Sequence, residues 1–210
     1  MDKENIIFDN NDSRIKYYEL LLEKDLTEMP EINLPESYRF VFYKDGDKDA
    51  WINIEKSARE FDSYSKGAAA WEKYYGTRLK ELPGRMVFIE NAEGLKVATA
   101  TAFYNIYRQD SPLCGWLHWV AIKREYQGQG LSKPLVLFTL NIMKKLGYTH
   151  SKIPTQTNTW LACKVYLDLG FLPVKENAVH SSYGWRIVKT LTGHPSLKDF
   201  NPVSLEEVIV

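Results

Sequence analysis

The sequence predicts an α/β domain: a mixed, mainly antiparallel central sheet with helices on both faces, preceded by an N-terminal helical arm. Two observations carry that prediction. Short runs rich in β-branched and aromatic residues come first, and later ones alternate with helix-length segments whose apolar residues recur at helical spacing. In addition, 44% of the 210 residues are hydrophobic and 26% are charged, enough apolar material for one domain of moderate size.

Taken in order, residues 12–26 read as a polar helix with Tyr17, Leu20, Leu21 and Leu22 toward one side. Pro30 and Pro35 then break regularity, so residues 1–35 are expected to form an arm packed on the domain. The domain is expected over 36–192. Tyr38-Arg-Phe-Val-Phe-Tyr43 is a first strand, and Asp47 is placed to cap a helix over 49–61 with Trp51, Ile54 and Ala58 as its buried stripe. A second helix is expected over 66–79. Residues 86–90 and 96–103, joined by Ala92-Glu-Gly94, read as a hairpin. Residues 115–122 form a strand, followed by a helix over 132–146, a strand near 151–155 and a helix over 159–169. One or two strands are expected between Phe171 and Lys189. Residues 193–210 are a tail that covers a sheet edge or reaches a second subunit.

Composition excludes several functions. The 27 basic and 27 acidic residues cancel and are interleaved, so no basic stripe exists to neutralise nucleic-acid phosphates. Cys114 and Cys163 make neither a disulfide framework nor a metal site, and His150, His180 and His194 lack partners at metal-ligand spacing. No metal is therefore expected. The segment Met1-Asp-Lys-Glu-Asn5 carries no secretion signature, and no apolar run approaches the ~18 residues of a membrane span. A soluble, cytoplasmic protein is expected.

The informative stretch is Trp119-Val-Ala-Ile-Lys-Arg-Glu-Tyr-Gln-Gly-Gln-Gly-Leu-Ser132, where an apolar strand ends, a polar turn holds two glycines and a helix begins. Gly128 and Gly130 let backbone approach a ligand, and the N–H groups opening the following helix attract anionic phosphate oxygens. Turns of this kind also occur as purely structural links. The third glycine of a dinucleotide fingerprint is missing, and no Gly-Lys-Ser/Thr follows.

Gln127-Gly-Gln-Gly-Leu-Ser132 resembles the (Arg/Gln)-x-x-Gly-x-(Gly/Ala) motif of the GNAT superfamily of acyl-CoA-dependent N-acetyltransferases, departing from it only at Ser132. A second block, Asn158…Ala162…Tyr166…Gly170-Phe171, is similar to that superfamily's late-helix pattern at every position. The resemblance implies acetyl-CoA as cosubstrate. Its pyrophosphate would sit on the backbone amides of Gln127, Gly128, Gln129, Gly130, Leu131 and Ser132. Its pantetheine arm would pair with the backbone of Val120, Ala121 and Ile122, and Asn158 would hydrogen-bond the pantetheine or a nearby water. Asn158 or Thr159 is equally placed to be a helix N-cap, and Thr155, Gln156 and Thr157 either line the site or form a polar turn.

Acyl transfer to an amine sets its own requirements. A protonated amine cannot attack, so a base must take its proton; the oxyanion needs a backbone N–H, for which Val120 is the implied source; the leaving thiolate needs an acid. A phenol with pKa about 10 can serve a thiol of about 8.5. The resemblance assigns that role to Tyr166, against a plain packing role. His118 resembles an active-site histidine found in one branch of the superfamily, and strand alternation places it on the side of Val120 and Ile122. Its ordinary pKa of about 6.5 suits a base, with a water relay or a core histidine as the alternatives. Trp51, Tyr64, Trp71, Tyr74 and Tyr75 fall in helices that shape the acceptor pocket in similar proteins, although core packing explains the tryptophans too. The expected partner is a small-molecule primary amine, with no nucleic acid and no membrane. Dimers are common among similar proteins, so a homodimer is one arrangement to test. Two alternatives stay open: a non-catalytic acyl-CoA-binding module, and an acceptor amine carried by a peptide or protein.

Overall fold

A computed structural model describes residues 8–104 and 111–210. The strands are β1 (Glu19–Asp25), β2 (Tyr38–Phe42), β3 (Met86–Asn91), β4 (Lys96–Phe103), β5 (Cys114–Ile122), β6 (His150–Gln156) and β7 (Leu172–Pro173). The helices are α1 (Lys48–Ser57), α2 (Tyr64–Tyr75), α3 (Ser132–Lys145), α4 (Trp160–Asp168), α5 (Lys175–His180), α6 (Ser182–Thr192) and α7 (Leu205–Val208). The strands follow the order β2-β3-β4-β5-β6-β1-β7. β2–β3, β3–β4, β4–β5 and β1–β7 pair antiparallel and β5–β6 parallel, which is the mixed, mainly antiparallel sheet expected. Among the described residues no helix is long and apolar enough to cross a membrane. The chain divides into two compact units, Asp25–Lys152 and Met1–Lys24 with Ile153–Val210.

In the unit Asp25–Lys152, every residue of β4 from Val97 to Phe103 is buried, so both faces of this strand are covered. α1 packs on β4 and β5, and α3 packs on β3, β4 and β5. Asp47 does occupy the N-cap of α1, but its side chain makes no capping hydrogen bond. It accepts instead from the Lys44 N–H at 2.8 Å and from Lys96 Nζ at 2.6 Å. The cation outcompetes the helix amides for the carboxylate.

The other unit corrects two expectations. The arm holds a strand, not a helix: Leu20 and Leu22 are buried while Glu19 is exposed, and Leu22 pairs with Pro173. Three consecutive leucines satisfy a two-residue period as readily as a helical one, and pairing across the sheet decides between them. After Phe171 only Leu172–Pro173 is strand, and the chain continues as α5 and α6. Gly184, Trp185, Ile187 and Val188 make a buried helical stripe, which Gly193 ends in the left-handed conformation at φ 63°. The tail belongs to this unit. Val203 and Val208 join Phe8, Ile15 and Ile187 in a buried cluster, and the Lys16 N–H donates to the Val208 carbonyl at 2.9 Å.

Gly184 gives this packing a test whose sign is decisive. Gly→Ala within a helix normally stabilises by about 1 kcal/mol. A Cβ here would lie 2.7 Å from Tyr18 Cβ and 3.0 Å from Leu20 Cδ2. Gly184→Ala is therefore expected to lose ~1–3 kcal/mol in urea unfolding, as overpacking does. A stabilised variant would contradict the contact of α6 with the chain entering β1.

Candidate active site

Within the unit Asp25–Lys152 the site is organised by a β-bulge. Thr99 pairs with Ala121 and Thr101 with His118, so Ala100 alone faces both Trp119 and Val120. Trp119 takes φ 48°, a left-handed conformation that bulky L-residues avoid. The bulge corrects the expected alternation, because the extra residue shifts the strand's period between His118 and Val120. His118 and Trp119, consecutive in β5, both meet Tyr74 of α2, at ring-centroid distances of 4.8 and 5.7 Å. Trp119 also packs edge-on to Trp51 at 5.5 Å and lies 5.2 Å from Phe61.

His118 is enclosed. Its ring stacks on Phe103 at 4.5 Å, and Nδ1 lies 3.4 Å from the Tyr75 hydroxyl, which reaches Thr101 Oγ1 at 3.1 Å. Burial pushes the imidazole down to about 3, so it is neutral at pH 7 and a weak proton acceptor. Trp51, Trp71 and Tyr75 are fully buried core, and Tyr64 is exposed with its hydroxyl on Asp49. Only Tyr74 of the five aromatic residues named from the sequence is half-buried beside β5.

The turn after β5 is pinned at its base and open at its tip. The Lys123 N–H donates to the Val97 carbonyl at 2.8 Å, and Gln127 Nε2 donates to the Ile122 carbonyl at 3.0 Å. Gln129 Nε2 reaches the Glu125 carbonyl at 3.1 Å, and the Tyr38 hydroxyl donates to Gln129 Oε1. Gly128 and Gly130 adopt φ 76° and 79°. A Cβ at either would meet nothing within 4 Å, so space lies open over this backbone. The N–H groups of Gly128, Gln129, Gly130 and Leu131 have no acceptor among the described residues. The N-cap of α3, Leu131, makes no side-chain cap. Four unpaired donors at the positive end of a 14-residue helix suit a diphosphate.

Asn158 and Tyr166 lie in the other unit. Asn158 Nδ2 donates to Asn11 Oδ1 at 2.7 Å, and its carbonyl accepts from the Asp12 N–H. Asn158 Oδ1 is buried without a hydrogen-bond partner among the described residues. Thr159 is the N-cap of α4, yet its hydroxyl donates to the Gln156 carbonyl at 3.0 Å and makes no cap. Thr155 and Thr157 are buried; Thr157 Oγ1 accepts from the Tyr18 N–H at 3.0 Å. Tyr166 is buried in the last turn of α4, its ring 5.9 Å from Phe171. The Phe171 N–H donates to the Tyr166 carbonyl and the Gly170 N–H to that of Leu167, with Gly170 at φ 84°. This is a Schellman cap with its accompanying apolar contact, so helix termination accounts for the Gly170-Phe171 part of the motif.

Glu55 was not singled out by the sequence. It lies one helical turn after Trp51 on the buried face of α1, is 0% exposed, and neither carboxylate oxygen has a hydrogen-bond partner among the described residues. Burial, reinforced by Glu60, holds its carboxyl well above the usual range. The available signal was a carboxylate inside the apolar stripe that Trp51 and Ile54 define. Among the described residues no group of three or more His, Cys, Asp or Glu is placed to hold a metal ion.

A model of the Acetyltransferase (GNAT) family matches residues 11–171. Among solved structures, a GCN5-related N-acetyltransferase from Sphaerobacter thermophilus aligns with a TM-score of 0.60 at 15% identity, over 77% of this chain and 49% of that one. An acetyltransferase of the GNAT family from Colwellia psychrerythraea gives 0.56 at 15% identity, over 76% and 54%. A GCN5-related glucosamine N-acetyltransferase region of a fungal multi-domain β-N-acetylglucosaminidase gives 0.56 at 12% identity, over 76% and 20%. The chain thus spans about half or less of the length of these structures, which share its fold. No curated protein matches the sequence.

The state of His118 is measurable through stability. Its folded pKa lies below the unfolded one, so its contribution is full above about 6.5 and is lost as pH falls toward 3. Each pH unit in that window costs ~1.4 kcal/mol. Between pH 6.5 and 5.0, urea unfolding of His118→Gln is expected to fall by ~2 kcal/mol less than that of the unsubstituted protein. The raised carboxyl of Glu55 acts in the opposite sense and equally in both proteins. Equal acid sensitivity would show that His118 is solvated.

Proposed function

Because the chain belongs to the Acetyltransferase (GNAT) family, we propose that it moves an acetyl group from acetyl-CoA to a primary amine of a small molecule, the amine attacking the thioester directly. Family membership supports acyl transfer in general. The observation that carries the finer reading is the turn after β5, where four backbone donors without acceptors among the described residues surround two left-handed glycines. Backbone donors bind a diphosphate without net positive charge, in keeping with the formal net charge of zero.

In this reading Gln127, Gly128, Gln129, Gly130, Leu131 and Ser132 hold the pyrophosphate. Val120, Ala121 and Ile122 offer backbone to the pantetheine arm, and Asn158 offers its Oδ1, which has no hydrogen-bond partner among the described residues. Acetyl-CoA supplies an activated acyl group. The Val120 N–H, displaced from regular pairing by the bulge, is the donor proposed for the developing oxyanion. Tyr166 is proposed as the acid that protonates the departing thiolate. His118, neutral and buried, is better suited to shaping the aromatic wall than to holding the amine's proton.

Purified protein is expected to gain thermal stability with acetyl-CoA; no shift would remove the cosubstrate from the proposal. Gly130→Val should weaken acetyl-CoA binding at least ~10-fold by calorimetry, because a branched side chain at φ 79° costs ~1–2 kcal/mol and covers the donors. Binding equal to the unsubstituted protein would place the diphosphate elsewhere. In an amine-panel screen for CoA release, Tyr166→Phe should lower kcat ~10- to 100-fold with KM for acetyl-CoA little changed. Full kcat across neutral and alkaline pH would rule out the acid role, and binding without release from any amine would favour a sensing module.

A further inference from the structure

The glycine turn after β5 is held from the sheet by one cross-strand pair. Tyr38 opens β2 and lies opposite Asn91, which closes β3. Residues directly opposite in an antiparallel pair present their side chains to the same face. Both of these reach the turn: the Tyr38 hydroxyl donates to Gln129 Oε1, and Asn91 Nδ2 donates to the Tyr126 hydroxyl at 3.3 Å. A third tie comes from the end of α1, where Ser57 Oγ accepts from the Arg124 N–H at 2.9 Å and donates to Glu125 Oε2 at 3.2 Å.

These ties hold different parts of the turn. Arg124, Glu125 and Tyr126 precede the glycines, so Ser57 and Asn91 fix its base. Gln129 stands between Gly128 and Gly130, and its carboxamide is held at both ends, Oε1 by Tyr38 and Nε2 by the Glu125 carbonyl at 3.1 Å. Glycine loses more conformational freedom on ordering than any other residue, so a tip with two of them is the part least able to keep its own shape. The backbone donors of Gly128, Gln129, Gly130 and Leu131 all belong to this tip. A Gln129 side chain fixed in advance restrains the backbone between the glycines and lowers the ordering cost of binding there. Gln129 fills a position that the motif over Gln127–Ser132 leaves unspecified, so the resemblance gives its side chain no role.

We propose that Tyr38, acting through the Gln129 carboxamide, is a positioning residue for the diphosphate of the acyl donor: it holds the amides of the turn in the arrangement that receives it. This rests on the acetyl-CoA reading above. The hydroxyl acts on the shape of the turn, so its loss weakens acetyl-CoA binding and leaves turnover at saturation as it was.

The test measures acetyl-CoA affinity of the full chain by calorimetry in Tyr38→Phe, Gln129→Ala and the double variant, with urea unfolding of each. Tyr38→Phe keeps the ring and removes the hydroxyl; it is expected to weaken binding about 3- to 10-fold with an unchanged urea midpoint. Gln129→Ala should lose at least as much. Adding Tyr38→Phe to it should then cost nothing further, because the hydroxyl has no carboxamide left to hold. In CoA release from the amine panel, Tyr38→Phe should raise KM for acetyl-CoA by the same factor and keep kcat. Gln129→Ala, whose side chain is exposed, decides the matter if Tyr38→Phe lowers the urea midpoint. Affinity equal to the unsubstituted protein in either single variant, an equal further loss in the double variant, or a lowered kcat with KM unchanged overturns the positioning role alone. An unsubstituted protein that does not bind acetyl-CoA, or a Gly130→Val variant that binds it as tightly, overturns the reading of the turn and this role with it.

Discussion

The extra residue that β5 carries opposite Ala100 is the constraint on which the rest of the site depends. It forces Trp119 to φ 48°, a conformation that costs an L-residue about 1–2 kcal/mol and persists only where the surroundings hold it. Those surroundings are the rings of Trp51, Phe61 and Tyr74, which close on the Trp119 indole from α1, the segment after it and α2. Without the bulge, His118 and Trp119 would point to opposite faces. With it, both meet Tyr74, and the aromatic layer over β5 becomes continuous. The backbone departs from the sheet ladder at the same residues, next to the strand end from which the glycine turn begins.

A dry layer of this kind treats acids and bases alike by penalising charge. Burial weakens His118 as a proton acceptor and raises the carboxyl of Glu55. The phosphate turn works by another principle: its donors are backbone amides with fixed dipoles and no titration.

Much of this was legible in the sequence because local rules and tertiary contacts agree. The hairpin of β3 and β4, the buried run of β5, the two glycines and the helix after them all follow from period, turn chemistry and composition. The arm misled because Leu20-Leu21-Leu22 fits two periods and only its partner in β7 selects the strand. The segment after Phe171 misled because Trp185, Ile187 and Val188 carry strand-type side chains on a helical stripe. The position of His118 could not be read either, since a bulge is a property of two strands in register and leaves no mark on one of them alone. Glu55 was hidden by the habit of reading a charge in an amphipathic helix as exposed.

The Schellman cap at the end of α4 bears on how such proteins are recognised. Gly170 is required by a left-handed terminus, and Phe171 by the contact that seals it. Selection for folding alone would preserve both. A descendant of this scaffold that had abandoned transfer chemistry would still end its helix in the same way, and would still be gathered with the enzymes by that half of the pattern. The glycine–phenylalanine pair is a marker of ancestry, while livelihood is recorded elsewhere along the chain.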